Sequence, residues 1–149
     1  MEDWFAVRYE ESYFAEEPLG HYGNDRSQRE RYIEGMRKRT KAAAVAVIDF
    51  FENSQSTPAL NVVRYQLIKS ATSTAANYRA ACVARSGKEF FAKISIVVEE
   101  ADETVFWLEV LYDSQVKVDK GKVVELGKEW REIAKIVSAA RKSYRDARP

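Results

Sequence analysis

Four carboxylates fall within five residues at Glu99, Glu100, Asp102 and Glu103, a density that suggests a cation site or an acid–base pair. Their spacing argues against both. Adjacent residues on a helix point in different directions, so the four cannot converge on one ion. Metal centres inside helical bundles combine carboxylates with Glu-x-x-His spacing on facing helices. The only histidine is His21, outside any helical pattern. A solvated acidic face with ion pairs to Arg64 or Arg79 is therefore expected. The single cysteine, Cys82, has no histidine to activate it and is expected to be an inert buried thiol. There is no glycine-rich phosphate loop and no Gly-x-Ser-x-Gly elbow. The expectation is a protein without catalytic residues, metal or cofactor, and not an enzyme.

Basic residues are the remaining candidates. Arg37, Lys38, Arg39 and Lys41 crowd one segment, and Arg85, Lys88 and Lys93 another. Several cations close together can displace the counterions of a polyphosphate, which is the chemistry of sequence-independent RNA or DNA binding. A solvated helix end, or salt bridges between subunits, would use the same residues. The net charge of +1 hides a partition. Residues 1–28 hold two basic and seven acidic residues, and residues 29–149 hold twenty-two and sixteen, so a −5 leader precedes a +6 body. That asymmetry points weakly to a polyanionic partner. The longest apolar run, Ala42 to Ile48, is far below the roughly 20 residues of a membrane span. The acidic start does not read as a secretory signal, and one cysteine cannot form an internal disulfide, so a cytoplasmic setting without membrane contact is expected.

These residues must be positioned by helices. Residues 1–28 carry Trp4, Phe5, Tyr9, Tyr13, Phe14 and Tyr22 without a sustained period, and Pro18, Gly20 and Gly23 interrupt them. They are read as an N-terminal extension, loosely packed or disordered, or as an acidic aromatic arm that docks on a neighbouring subunit. Residues 29–149 are read as the bundle. A first helix over about 29–53 places Met36, Thr40, Ala43, Val47 and Phe50 on one stripe, widened by Ala44, Ile48 and Phe51. Thr57 is placed as an N-cap and Pro58 at the first helical position.

A second helix over about 58–85 has Leu60, Val63, Leu67, Ala71, Thr74, Tyr78 and Ala81 on its main face. Its middle, Ser70 to Ala76, is unusually small, which lets a neighbouring helix approach closely. Asn77 is the polar residue expected to be partly buried, with no role beyond tying backbone to backbone. Ser86-Gly87-Lys88-Glu89 has capping-box spacing for a third helix over about 88–113. There Phe90, Ile94, Val97, Ala101, Thr104, Leu108 and Leu111 step 4-3-4-3-4-3, while Phe91, Val98, Val105 and Tyr112 repeat every seven. Two apolar columns exceed what one partner helix needs, so this helix is either the most buried in the bundle or also lies at a subunit interface, to which Phe91, Val98, Val105 and Tyr112 are assigned. A fourth helix, capped by Asp119, carries Leu126, Trp130, Ile133, Val137, Ala140 and Tyr144 to about residue 146. Arg141, Lys142, Arg145 and Arg148 close it, as the helix dipole favours. Four such helices with short links predict an all-α, up-down-up-down four-helix bundle.

Three segments in this order also resemble a known family. Arg39-Thr40-Lys41, Gln66-Leu67 through Asn77-Tyr78-Arg79, and Glu99-Glu100-Ala101-Asp102-Glu103-Thr104 followed by Trp107-Leu108 resemble the 23S rRNA intervening-sequence proteins, small bacterial four-helix bundles. The resemblance covers about residues 37–144. It implies a ring-shaped homopentamer with a central channel. It also implies kinship with the accessory variability determinant of diversity-generating retroelements, whose relatives present basic surfaces to nucleic acid. It offers no catalytic residues. The wide face of the third helix suits a ring, because a head-to-tail interface uses two different patches of each subunit. The functional expectation is a non-enzymatic oligomer that contacts RNA or DNA phosphates through Arg37, Lys38, Arg39, Lys41, Arg85, Lys88 and Lys93. The alternative is a scaffold that holds a protein partner and does not itself touch nucleic acid.

Overall fold

The computed structural model describes residues 26–147. Four helices follow one another: α1 Arg26–Phe51, α2 Pro58–Cys82, α3 Gly87–Asp113 and α4 Lys120–Asp146. Each packs against its sequence neighbour, α4 closes weakly on α1, and no strand occurs among the described residues. This is the expected up-down-up-down bundle. Residues 1–25 of the expected extension lie outside the described residues, and 26–28 belong to α1.

The helix starts follow from local chemistry. The Thr57 hydroxyl accepts from the Leu60 amide at 3.2 Å, with Pro58 opening α2. The Ser86 hydroxyl accepts from the Glu89 amide at 3.1 Å. Glu89 reaches back one residue further than in the usual box, accepting from the Arg85 amide at 2.9 Å. Asp119 accepts from the Lys122 amide at 3.1 Å. At the end of α3 the Lys120 ammonium donates to the carbonyls of Leu111, Tyr112 and Ser114, answering acceptors the helix leaves open. α2 stops three residues short of its expected end. There the Val83 and Ala84 amides turn back to Ala80 and Ala81, tightening the last turn and closing the helix.

Packing follows the expected stripes with three corrections. All seven main-face residues of α2, and Ile94, Val97, Ala101, Thr104, Leu108 and Leu111 of α3, are buried. Along α1 the stripe holds at Met36, Thr40, Ala43, Ala44, Val47 and Phe51, but Ile48, at its edge, stays 41% exposed. Along α4 the stripe begins earlier than expected, with Val123 and Gly127 buried and Leu126 only half-buried. The third correction concerns the second column of α3. Val105 is buried in the subunit's own core, Val98 and Tyr112 pack against that core, and the Phe91 ring stacks on Tyr144 of α4 at 6.0 Å. Part of the column is thus used inside the subunit, because α3 sits between α2 and α4, while Phe91, Val98 and Tyr112 keep some of their surface open.

The α2–α3 seam is the most extensive contact. Small residues bring the two helices together, and Thr104 shares a 2.9 Å hydrogen bond with Ser70 across it, both fully buried. Hydroxyls that would be stranded there bond back to their own helices: Thr74 to the Ser70 carbonyl at 2.8 Å, Thr104 to that of Glu100 at 2.8 Å. Asn77 does the same from a half-buried position, donating to the Ser73 carbonyl at 3.0 Å.

Candidate nucleic-acid interface

Antiparallel order decides which charges meet. The start of α1, the α2–α3 turn and the end of α4 lie at one end of the bundle. Side-chain contacts bear this out: Phe90 and Phe91 at the start of α3 lie 5.0 and 6.0 Å from Tyr144 near the end of α4. Arg37 and Glu34 of α1 act electrostatically on Cys82 at the end of α2. Residues 27–38, 79–93 and 135–147 therefore form a common end carrying twelve basic and four acidic residues, a balance of +8. The opposite end, residues 49–64 and 109–125, carries four basic and six acidic residues.

At the basic end the few carboxylates are already engaged. Glu34 pairs with Arg37 at 3.2 Å and with Lys38 at 4.0 Å. Glu89 accepts from Arg85, whose backbone amide holds its carboxyl below the usual carboxylate range, with the Arg85 charge assisting. Arg145 meets Asp146 at 3.0 Å. The Lys38 and Arg85 side chains are 77% and 90% exposed, and Arg79, Lys88 and Arg145 are exposed as well. Exposed cations on three neighbouring segments can bind a polyanion by displacing its counterions, without base readout.

Of the seven cations expected from the sequence, five gather here: Arg37, Lys38, Arg85, Lys88 and Lys93. Lys41 is exposed but lies further along α1. Arg39 is a correction. Its guanidinium donates through Nε and Nη2 to both carboxylate oxygens of Glu129 on α4, at 2.6 and 2.9 Å. This two-pronged pair ties the weakest seam of the bundle, and the arginine's hydrogen-bonding edge is thereby occupied. Sequence reasoning passed over Arg29, Arg31, Arg79, Arg141 and Lys142. The cluster at the end of α4 was explained by its own helix dipole, and only the antiparallel order places it beside the other two segments.

No protein-family model matches this chain, and no curated protein matches it. Among solved structures, the chain resembles a protein of unknown function from the S23 ribosomal protein family of Bacteroides thetaiotaomicron. The two are 27% identical with a TM-score of 0.65, and the match covers 74% of this chain and 97% of that one. The link is distant and at the level of the family. It supports the helical architecture and leaves the basic end to be judged on its own geometry.

The other candidate chemistries are laid out differently. The carboxylates of residues 99–103 do not pair with Arg64, whose guanidinium donates instead to Ser54 and the Gln55 carbonyl and lies over the Phe51 ring. Glu103 accepts from the Trp107 indole at 3.1 Å. Burial pushes the half-buried Cys82 thiol upward, away from a nucleophile. Among the described residues no group of three His, Cys, Asp or Glu side chains is placed to hold a metal, and no helix is long and apolar enough to cross a membrane.

Proposed function

We propose that this is a non-enzymatic, cytoplasmic RNA- or DNA-associated protein that grips phosphates with the basic end of its bundle and assembles into a homo-oligomer. The +8 balance over three convergent segments carries this reading. Phosphate contacts need close, exposed cations and no shaped pocket, and the basic end supplies them. The subunit number of five comes from the resemblance to the intervening-sequence proteins. Assembly would multiply the charge of each subunit around a common axis. The distant neighbour from the S23 ribosomal protein family is itself of unknown function and adds only its family name to this reading.

The test is binding of the purified protein to a labelled structured RNA, followed by fluorescence anisotropy over a series of salt concentrations. A linear fall of log affinity with log salt supports the reading, and its slope counts the phosphate contacts. Absence of binding at low salt removes it.

A second reading has its own observation. Val45 and Ile48 on α1 and Val62 and Tyr65 on α2 are 43%, 41%, 57% and 66% exposed on adjoining helix halves away from the basic end. Exposed apolar side chains on two neighbouring helices suit a protein partner or a second copy. Concentration-dependent mass without RNA affinity would favour it.

A further inference from the structure

We infer that the basic end is also the docking surface for the chain's own residues 1–25. The polyanion and this segment would then compete for one surface. Three observations carry the inference. The first is charge: residues 1–25 contain seven acidic residues and one basic, a balance of −6 facing +8. The second is place. Residue 25 immediately precedes α1, and the first turns of α1 belong to the basic end, so the segment is tethered where its complement lies. Twenty-five residues reach about 80 Å when extended, about twice the roughly 40 Å length of the longest helices here. The tether therefore places no limit on covering that end.

The third is the kind of side chain. Trp4, Phe5, Tyr9, Tyr13, Phe14 and Tyr22 are interspersed with carboxylates at Glu2, Asp3, Glu10, Glu11, Glu16 and Glu17. Flat rings among negative charges present the same two features as a single-stranded nucleic acid, bases and phosphates. The basic end answers both, with arginines for ring faces and carboxylates, and with the half-buried rings of Phe90, Phe91 and Tyr144. A tethered ligand acts at an effective concentration in the millimolar range, enough for individually weak contacts to hold it. The contact itself does not depend on the polyanion reading. Only the competition rests on it.

Two measurements on the full-length protein separate them. Carbodiimide coupling joins a carboxylate to a nearby amine, and peptide mass spectrometry then locates the link. Links from Glu10, Glu11, Glu16 or Glu17 to Lys38, Lys88 or Lys93, abolished by high salt, are expected. Links to Lys117 or Lys122 at the far end, or none, overturn the inference. With a mixture of isotopically labelled and unlabelled protein, links confined to mixed pairs overturn the assignment to the chain's own bundle. The second measurement replaces the six carboxylates of residues 2–17 by their amides in the full chain. RNA affinity in low salt should rise by about tenfold, the gain from removing a tethered competitor. Unchanged affinity, in a protein that binds RNA, overturns the competition. If neither form binds RNA while the links are present, the polyanion reading fails and the docking stands.

Discussion

The two ends of the bundle share four helices and a common core, yet they expose opposite things. One end gathers twelve basic residues against four acidic ones. The other has a slight acidic excess, and beside it Val45 and Ile48 on α1 and Val62 and Tyr65 on α2 are exposed apolar side chains. The core thins towards the basic end, since the first buried residue of α1 is Met36 and the last of α4 is Val137, but the charge difference has another source. It arises from where charges stand along each helix and from the direction in which each helix runs.

The largest effect should come from the core, and it should be the same at both ends. Leu60→Ala near the far end and Ile94→Ala towards the basic end each remove a side chain that is 1% exposed. Each is expected to lower stability by about 2–5 kcal/mol, read from urea unfolding. A much smaller loss for Ile94→Ala would mean that the thinner packing of the basic end extends to the core beside it. Charge comes next. The pair Lys88→Glu and Arg141→Glu should reduce the slope of log affinity against log salt by roughly 1.4–1.8, since each phosphate left without its cation lowers the slope by about 0.7–0.9. The matched pair Lys117→Glu and Lys122→Glu at the far end should leave the slope in place. Equal slopes would dissolve the contrast.

Smaller effects sharpen it. Ser86→Ala and Thr57→Ala delete an N-cap at each end, and each should cost about 1 kcal/mol in thermal or urea unfolding. Only the Ser86 change disturbs the turn that presents Arg85, so only it should also weaken RNA binding. The smallest effect belongs to the clamp between the ends. The hydrogen bond from Arg39 holds the Glu129 carboxyl below the ordinary carboxylate range, with the arginine's charge adding to it against the cost of partial burial. A lowered pKa in the folded state means stability that is present above the ordinary range. That stability is lost as pH falls through the folded value. Both side chains are more than a third exposed, so the contribution should stay below about 1 kcal/mol. Glu129→Gln should flatten that part of the curve of stability against pH.

Much of the fold was legible in the sequence, for identifiable reasons. The buried stripes of α2 and α3 follow from apolar spacing alone, and the caps at Thr57, Ser86 and Asp119 follow from side chains with only one good use at a helix start. Two kinds of information were not local. Whether Phe91 and Val105 face a neighbouring subunit or α4 depends on where α4 lies, which the spacing within α3 does not record. Arg39 and Lys41 look alike in sequence, and only the approach of Glu129, ninety residues away, separates a clamp from an exposed cation. The basic end was half visible. Arg85 and Lys88 stood out as neighbours in the chain, whereas Arg141 joins them only through topology.

The link between α2 and α3, residues 83–86, is the shortest of the three, and it joins the helices that touch most extensively. A short link loses little entropy on closure, so this hairpin has the least to overcome in forming first. The contact between Ser70 and Thr104, thirty-four residues apart, then sets its axial register. α1 is made before α2 and α3 as the chain is synthesised, yet it finds its partners only once they exist, and its seam with α4 is the thinnest. The order in which this bundle folds is therefore expected to differ from the order in which it is written, with α1 settling last and showing the least protection in native-state amide exchange.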